Sequence, residues 1–148
     1  MTQIDRNVFK ISNKIYGDST DAETQEATLK SFLENNYAVY GWNMTERFLQ
    51  MKTGDLIVLH SGEELKYIGE ITLPPHNWKF YNASNIPYLD KIDDRFNEER
   101  NEWYMVCVKK WINIEYLDKK TNRGSAIIIN KEENKKPLIE IYDWLSKI

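Results

Sequence analysis

Two adjacent stretches in the first half of the chain have the hydrophobic patterns of β-strands. Residues 56–59, Leu-Ile-Val-Leu, form an unbroken run of branched apolar side chains, which is typical of a strand buried on both faces. From 65 to 73, Leu65, Tyr67, Gly69, Ile71 and Leu73 share one strand face, and the positions between them share the other. The sequence therefore predicts a hairpin that reverses at residues 61–64.

Turn and breaker residues flank this hairpin. Gly54 can adopt a positive φ and Asp55 can bond the local backbone, so residues 52–55 are predicted to form a turn. We expect Pro74 and Pro75 to end the second strand, because proline cannot donate to a ladder. Gly69 lacks a side chain, so a second backbone or a flat ligand can approach it closely.

Further elements follow from the same kind of pattern. Thr20 and Glu23 fit a capping box, which predicts a helix from near Thr20 to Asn35-Asn36. Thr45 can cap a short helix with Phe48, Leu49 and Met51 facing inward. Pro137 suits the first turn of a closing helix, whose apolar face would comprise Leu138, Ile141, Tyr142, Leu145 and Ile148. The other predicted strands are residues 8–11, 37–42, 103–117 and 125–129.

These elements define a fold class. The strands are predicted to be mostly antiparallel, and several are apolar on both faces, so both faces of the sheet must be covered. An α+β fold, with about six strands curled into a small β-barrel and helices beside it, satisfies this requirement. At 148 residues the chain is expected to be a single domain, residues 1–148.

Charge and composition restrict the function classes. No apolar run is long enough to span a membrane and the N-terminus has no apolar signal core, so we expect a cytoplasmic protein. The single cysteine, Cys107, is expected to be reduced and buried. The net charge of −3 argues against non-specific coating of nucleic acid. Basic residues that could contact phosphates, or simply form solvated surface, are Lys109, Lys110, Lys119, Lys120 and Arg123.

The residues offer little for catalysis. His60 and His76 are the only histidines and lie in no metal-binding spacing, so neither a metal site nor a cofactor is expected. Lys52, Asp55 and Glu70 could be brought together near the hairpin. A turn-capping Asp55 and a salt-bridged Glu70 are favoured over an acid–base pair. The protein is therefore predicted not to be an enzyme.

Aromatic residues are the strongest indication of a binding site. The chain has five Trp, nine Tyr and five Phe, which can form a core or line a pocket for a flat ligand. Trp111 lies in an apolar strand and is predicted to be core. Tyr40, Trp42 and Trp78 lie near predicted strand ends and are pocket candidates. Polar groups that could hydrogen-bond a base edge are Ser12, Asn13, Tyr16, Asn43 and Asn77.

Several short motifs, taken in order, resemble the EVE domain of the PUA-like superfamily, and the variety fused to McrB-type restriction enzymes is the most similar. The motifs are Val8 to Ser12, a helix ending in Leu-Glu-Asn-Asn, Tyr37 to Trp42, Met51 to Leu59, Tyr67 to Ile71, and the aromatic strand from Trp103 to Trp111. The resemblance covers residues 8–116. It implies a PUA-like barrel with a pocket for a base flipped out of a nucleic acid. By position, the pocket would use Ser12 and its neighbours, Trp42 with Asn43, and the segment around Trp78.

The resemblance implies a reader of a modified base in DNA, such as methylated or hydroxymethylated cytosine or methylated adenine. Such a reader would serve restriction or antiviral defence, with a nuclease or AAA+ motor as a possible partner. Two alternatives stay open: a PUA-like domain that binds RNA or a nucleotide, and a small nucleoside amidohydrolase. The amidohydrolase would use Lys52 or Lys66 with Glu70.

Overall fold

The computed structural model describes residues 6–12, 22–40, 48–61, 63–77, 104–117, 127–129 and 131–148. The strands are β1 (Val8–Ser12), β2 (Tyr37–Tyr40), β3 (Leu56–Ser61), β4 (Glu64–Asn77), β5 (Tyr104–Val108), β6 (Ile112–Asn113) and β7 (Ile127–Ile129). The helices are α1 (Ala22–Asn35) and α2 (Glu132–Leu145), and short 3-10 helices span Phe48–Gln50 and Glu115–Leu117. The predicted α+β class is confirmed.

The strands form one mixed, mostly antiparallel sheet. Its order is β2-β5-β4-β3-β1-β7, with β6 also paired to β4. The parallel pair is β1 with β3, where Phe9 lies opposite Ile57. The 14-residue β4 pairs with β3 through its first half and with β5 through its second half. Over the described residues the sheet is open between β2 and β7.

The sheet curls around a single inner core. β1 and β2 lie four strand spacings apart in the sheet order, which is about 19 Å in a flat sheet. Nevertheless, buried residues of both strands belong to one apolar cluster, which includes Phe9, Val39, Ile57 and Val106. The cluster runs through the strands between them, and one shared core across strands this far apart is consistent with the curled sheet that was predicted. The phenol of Tyr37 in this core hydrogen-bonds the Ser31 hydroxyl of α1, and burial raises the pKa of Tyr37.

Helix α2 covers the outer face of the β1–β3–β4 region. Val8, Leu56 and Val58 pack there with Leu138 and Tyr142. Arg6 binds this helix to the sheet, because its guanidinium donates to Asp143 Oδ1 at 2.9 Å and to Glu70 Oε1 at 2.7 Å. The guanidinium carbon also lies 5.6 Å from the ring centre of Tyr142. The predicted alternation of β1 is confirmed, since Phe9 and Ile11 are in the inner core and Val8 is in the outer one.

The predicted hairpin is confirmed, with one correction. Gly54 has a φ of 97°, as the turn prediction required. The Asp55 carboxylate accepts hydrogen bonds from the backbone N–H groups of Lys52 and Asn7, each at 3.1 Å. The prediction that Pro74 and Pro75 end β4 is wrong. They lie between the Leu73–Cys107 and His76–Met105 pairs, where a register shift removes the need for their missing donors.

Three predictions about the helices also need correction. Pro137 lies inside α2 rather than in its first turn, because the helix already begins at Glu132. Ile148 was assigned to the apolar face of that helix, but it lies beyond the helix end and is exposed. Leu49 was expected to face inward and is half exposed, while Met51 is buried as expected. The end of α1 is as predicted, and Asn36 there adopts a φ of 57°.

Candidate nucleic-acid interface

Three neighbouring strands place Tyr40, Tyr104 and Asn77 in one row across the sheet. Tyr104, the first residue of β5, lies opposite Tyr40 of β2 on one side and Asn77 of β4 on the other. Tyr40 and Asn77 are each the last residue of their strand, so the row forms an end of this part of the sheet. Tyr104 is partly buried and packs against the inner core. The row therefore lies at the end of the inner core, at the last described residues of β2 and β4.

The row includes two of the predicted pocket residues and adds one that sequence reasoning missed. Tyr40 was predicted as an aromatic pocket residue and Asn77 as a polar group that could hydrogen-bond a base edge, and the register brings both to the same neighbour. Tyr104 was interpreted only as part of a central strand. Its position directly after Trp103, at the start of the apolar strand that follows the charged segment 90–102, was the available signal.

Of the six remaining pocket candidates, the structure describes only Ser12. Ser12 ends β1 and lies opposite His60, whose partner on β4 is Leu65. Leu65 and Asn77 lie near opposite ends of the 14-residue β4, so the register does not pair Ser12 with the row. The other predicted pocket residues lie outside the described residues: Asn13, Tyr16, Trp42, Asn43 and Trp78.

Of the five predicted phosphate-contacting residues, the structure describes two. Lys109 and Lys110 are exposed and follow β5 at a bend. Lys119, Lys120 and Arg123 lie outside the described residues. The lysine pair and the Tyr104 row therefore lie at opposite ends of β5.

Trp111 is a core residue, as predicted. It is buried, and its indole Nε1 donates to the Tyr37 carbonyl oxygen at 3.2 Å. Gly69 allows this packing, because a Cβ built there would lie 3.2 Å from Trp111 Cε3 and 3.1 Å from the Lys110 carbonyl oxygen. The close approach predicted at Gly69 is thus made by a second backbone and a tryptophan ring.

Lys66 and Glu70, two of the groups proposed for an amidohydrolase, have structural partners. The Lys66 ammonium bonds Glu115 at 2.6 Å and Glu64 at 2.9 Å, and these bonds raise the pKa of Lys66. A lysine held in its charged form is a poor nucleophile. Glu70 is bound to Arg6 instead, and Asp55 caps its turn. The geometry thus gives no support to a Lys66–Glu70 pair.

Other titratable groups belong to the fold. Burial lowers the pKa of Lys10, which is almost wholly enclosed on β1. Burial raises the pKa of Cys107, a free cysteine that is only partly buried, contrary to the full burial predicted. Within the described ranges, no three His, Cys, Asp or Glu residues gather as metal ligands do. In the same part of the chain, neither helix has the length and apolar character needed to cross a membrane.

Comparisons with known proteins show a structural likeness but no sequence relative. No family model matches the sequence, and no curated protein matches it. Among solved structures, the chain is similar to the YTH domain of Zygosaccharomyces rouxii MRB1 protein, crystallised in complex with N6-methyladenosine RNA. The TM-score is 0.49 and the identity 11%, over 93% of this chain and 87% of that chain. Membership of the EVE family, and of its McrB-fused variety, therefore stays a prediction.

Proposed function

We propose that this domain binds nucleic acid by accepting a flipped, modified base next to the Tyr40–Tyr104–Asn77 row. The row is the observation that carries the proposal. It brings together two pocket candidates that are far apart in sequence, Tyr40 and Asn77, on either side of a second aromatic residue, Tyr104. An extruded base requires an aromatic surface for stacking and polar groups that hydrogen-bond its edge.

The covalent chain supports the same location. Two strand spacings of about 4.8 Å separate the Cα atoms of Tyr40 and Asn77 by about 10 Å. Consecutive Cα atoms are about 3.8 Å apart, so covalent geometry alone keeps the Cα of Trp78 about 3.8 Å from that of Asn77. It likewise keeps the Cα of Trp42 within about 8 Å of that of Tyr40. In sequence, each candidate tryptophan therefore follows the end of one of the two strands that flank Tyr104.

The proposed ligand is DNA that carries methylated or hydroxymethylated cytosine or methylated adenine. The proposed role is restriction or antiviral defence, in which a nuclease or AAA+ motor would act on the recognised strand. The net charge of −3 suits a reader whose selectivity comes from the base rather than from the backbone.

A titration with matched probes tests the proposal. The probes are duplex DNA with one 5-methylcytosine, 5-hydroxymethylcytosine or N6-methyladenine, single-stranded RNA with one N6-methyladenosine, and the unmodified form of each. Binding is followed by anisotropy of a labelled oligonucleotide. Trp42→Ala and Trp78→Ala are compared with Trp144→Ala, which removes an indole that is 65% exposed on α2.

Preference for one modified DNA, lost in Trp42→Ala or Trp78→Ala and kept in Trp144→Ala, supports the proposal. A preference for the methylated RNA supports the proposed pocket and shows that its ligand is RNA rather than DNA. Equal binding of modified and unmodified probes, or no binding, overturns it.

A further inference from the structure

The connection between β5 and β6 holds two lysines at a fixed place on the surface. Lys109 and Lys110 are both exposed, while Val108 before them and Trp111 after them are buried. The Lys109 backbone N–H donates to the Glu70 carbonyl oxygen at 2.8 Å. The backbone of the pair is thus fixed on both sides, and its two ammonium groups extend from a rigid base.

The packing beneath the pair explains this rigidity. Gly69 has no Cβ, and one built there would lie 3.0 Å from Val108 Cβ and 3.1 Å from the Lys110 carbonyl oxygen. The connection therefore lies directly on β4. The nearby Glu70 carboxylate is bound to Arg6 at 2.7 Å, so its charge is already paired. Among the residues that the structure describes, no carboxylate is paired with Lys109 or Lys110, so within this part of the chain both charges are available to an anion.

The distance from this pair to the Tyr104 row defines a length of ligand. Lys109 is five residues after Tyr104, which at about 3.4 Å per residue is about 17 Å along β5. Phosphates of one strand in B-DNA are about 3.4 Å apart along the helix axis. The span therefore corresponds to about five nucleotides of a duplex strand.

We propose that Lys109 and Lys110 bind the phosphate backbone about five nucleotides to one side of the recognised base. This inference rests on the proposed function, and it makes the ligand a polynucleotide rather than a free nucleotide. Because the lysines lie at one end of β5 only, the requirement for flanking nucleotides is asymmetric. Shortening one side of the probe lowers the affinity, and shortening the other side leaves it unchanged.

The test uses the full chain of the protein. Its ligands are truncated forms of the preferred probe, which is either duplex DNA with one 5-methylcytosine or single-stranded RNA with one N6-methyladenosine. One form keeps about two flanking nucleotides 5′ of the modified base, one keeps about two 3′, and one keeps about eight on both sides. The variant is Lys109→Ala with Lys110→Ala. The matched control is Lys135→Ala with Lys136→Ala, which removes the same charge from α2.

We expect only one truncation to weaken binding, by about tenfold. The Lys109/Lys110 variant should bind the full-length probe as weakly as wild type binds that truncated form. Its slope of log affinity against log salt should be smaller by about two, whereas the control keeps the wild-type slope. An equal loss of affinity from both truncations, or an unchanged salt slope in the variant, overturns the proposed lysine–phosphate contacts. In either case a retained preference for the modified base leaves the proposed function in place.

Discussion

The indole of Trp111 donates a hydrogen bond to the backbone carbonyl of Tyr37, 74 residues earlier in the chain, at 3.2 Å. This bond joins the segment after β5 to the first residue of β2, and both residues are buried. It also holds in place the connection that carries Lys109 and Lys110. The bond therefore links the stability of the inner core to the position of the proposed phosphate contacts.

Trp111→Phe should lower the free energy of unfolding by about 1–3 kcal/mol, because it leaves a buried carbonyl without its donor and removes buried ring area. Urea unfolding followed by circular dichroism measures the change. The exposed Trp144→Phe, used as control, should change stability by less than about 0.5 kcal/mol. Equal stability of the two variants would show that the hydrogen bond contributes nothing.

Gly69→Ala should destabilise the fold by about 1–3 kcal/mol, because the added methyl group meets Val108 and the Lys110 carbonyl at 3.0 and 3.1 Å. Neither neighbour is the flexible end of a long side chain, so relief requires a shift of β4 or β5. Thermal unfolding measures the effect. Thr72→Ala, at an exposed position of the same strand, is the control. A neutral Gly69→Ala would mean that the two strands separate easily at this point.

Arg6→Met should cost about 1–3 kcal/mol, since it leaves Glu70 and Asp143 without their charged donor in a partly buried site. Lys30→Met removes an exposed ion pair whose atoms are 3.9 Å apart and should cost less than about 0.5 kcal/mol. Urea unfolding in low and high salt measures both variants. An Arg6 variant as stable as the Lys30 variant would contradict a role in holding α2.

Tyr142 should make the protein less stable in alkali. Burial, followed by the charge of Glu70, raises its pKa from 10.0 to about 12. Between these values the unfolded chain loses the proton that the folded chain keeps. Stability is therefore complete below pH 10 and falls as the pH rises toward 12, by up to about 3 kcal/mol.

Urea midpoints measured from pH 8 to pH 12 test this prediction. Tyr142→Phe should remove part of the alkaline decline, because the ring remains and the ionisable group does not. Tyr116→Phe, at a ring that is 67% exposed, should leave the decline unchanged. The prediction is wrong if both variants show the wild-type pH dependence.

Tyr104→Ala should weaken binding of the preferred modified oligonucleotide by at least about fivefold, because stacking on an aromatic ring contributes about 1–3 kcal/mol per base. Tyr104→Phe keeps the ring and should retain the affinity. Tyr67→Ala is the matched control, since Tyr67 is also partly buried against the inner core but lies in the first half of β4. Anisotropy titrations are made on variants shown to be folded. A similar loss in Tyr67→Ala would assign the effect to stability rather than to the site.

The local pattern of the sequence determined the strands, the turn at residues 52–55 before the hairpin, and the core role of Trp111. These follow from nearest neighbours: branched apolar runs favour strands, Gly54 permits a positive φ, and Asp55 can bond the adjacent backbone. The end of β4 was not predictable in the same way. Whether Pro74 and Pro75 end a strand depends on the register of β5, which comes from a distant part of the chain.

The tertiary structure alone decided which candidates lie together. Tyr40, Asn77 and Tyr104 come from three separate parts of the sequence, and only strand register makes them neighbours. The same register separates Ser12 from that row. The Glu70 carboxylate, which the amidohydrolase hypothesis paired with a lysine, forms an ion pair with Arg6. Side-chain type is a local property that a sequence states directly. Proximity depends on how a curled sheet pairs its strands, and that pairing minimises the free energy of the whole chain.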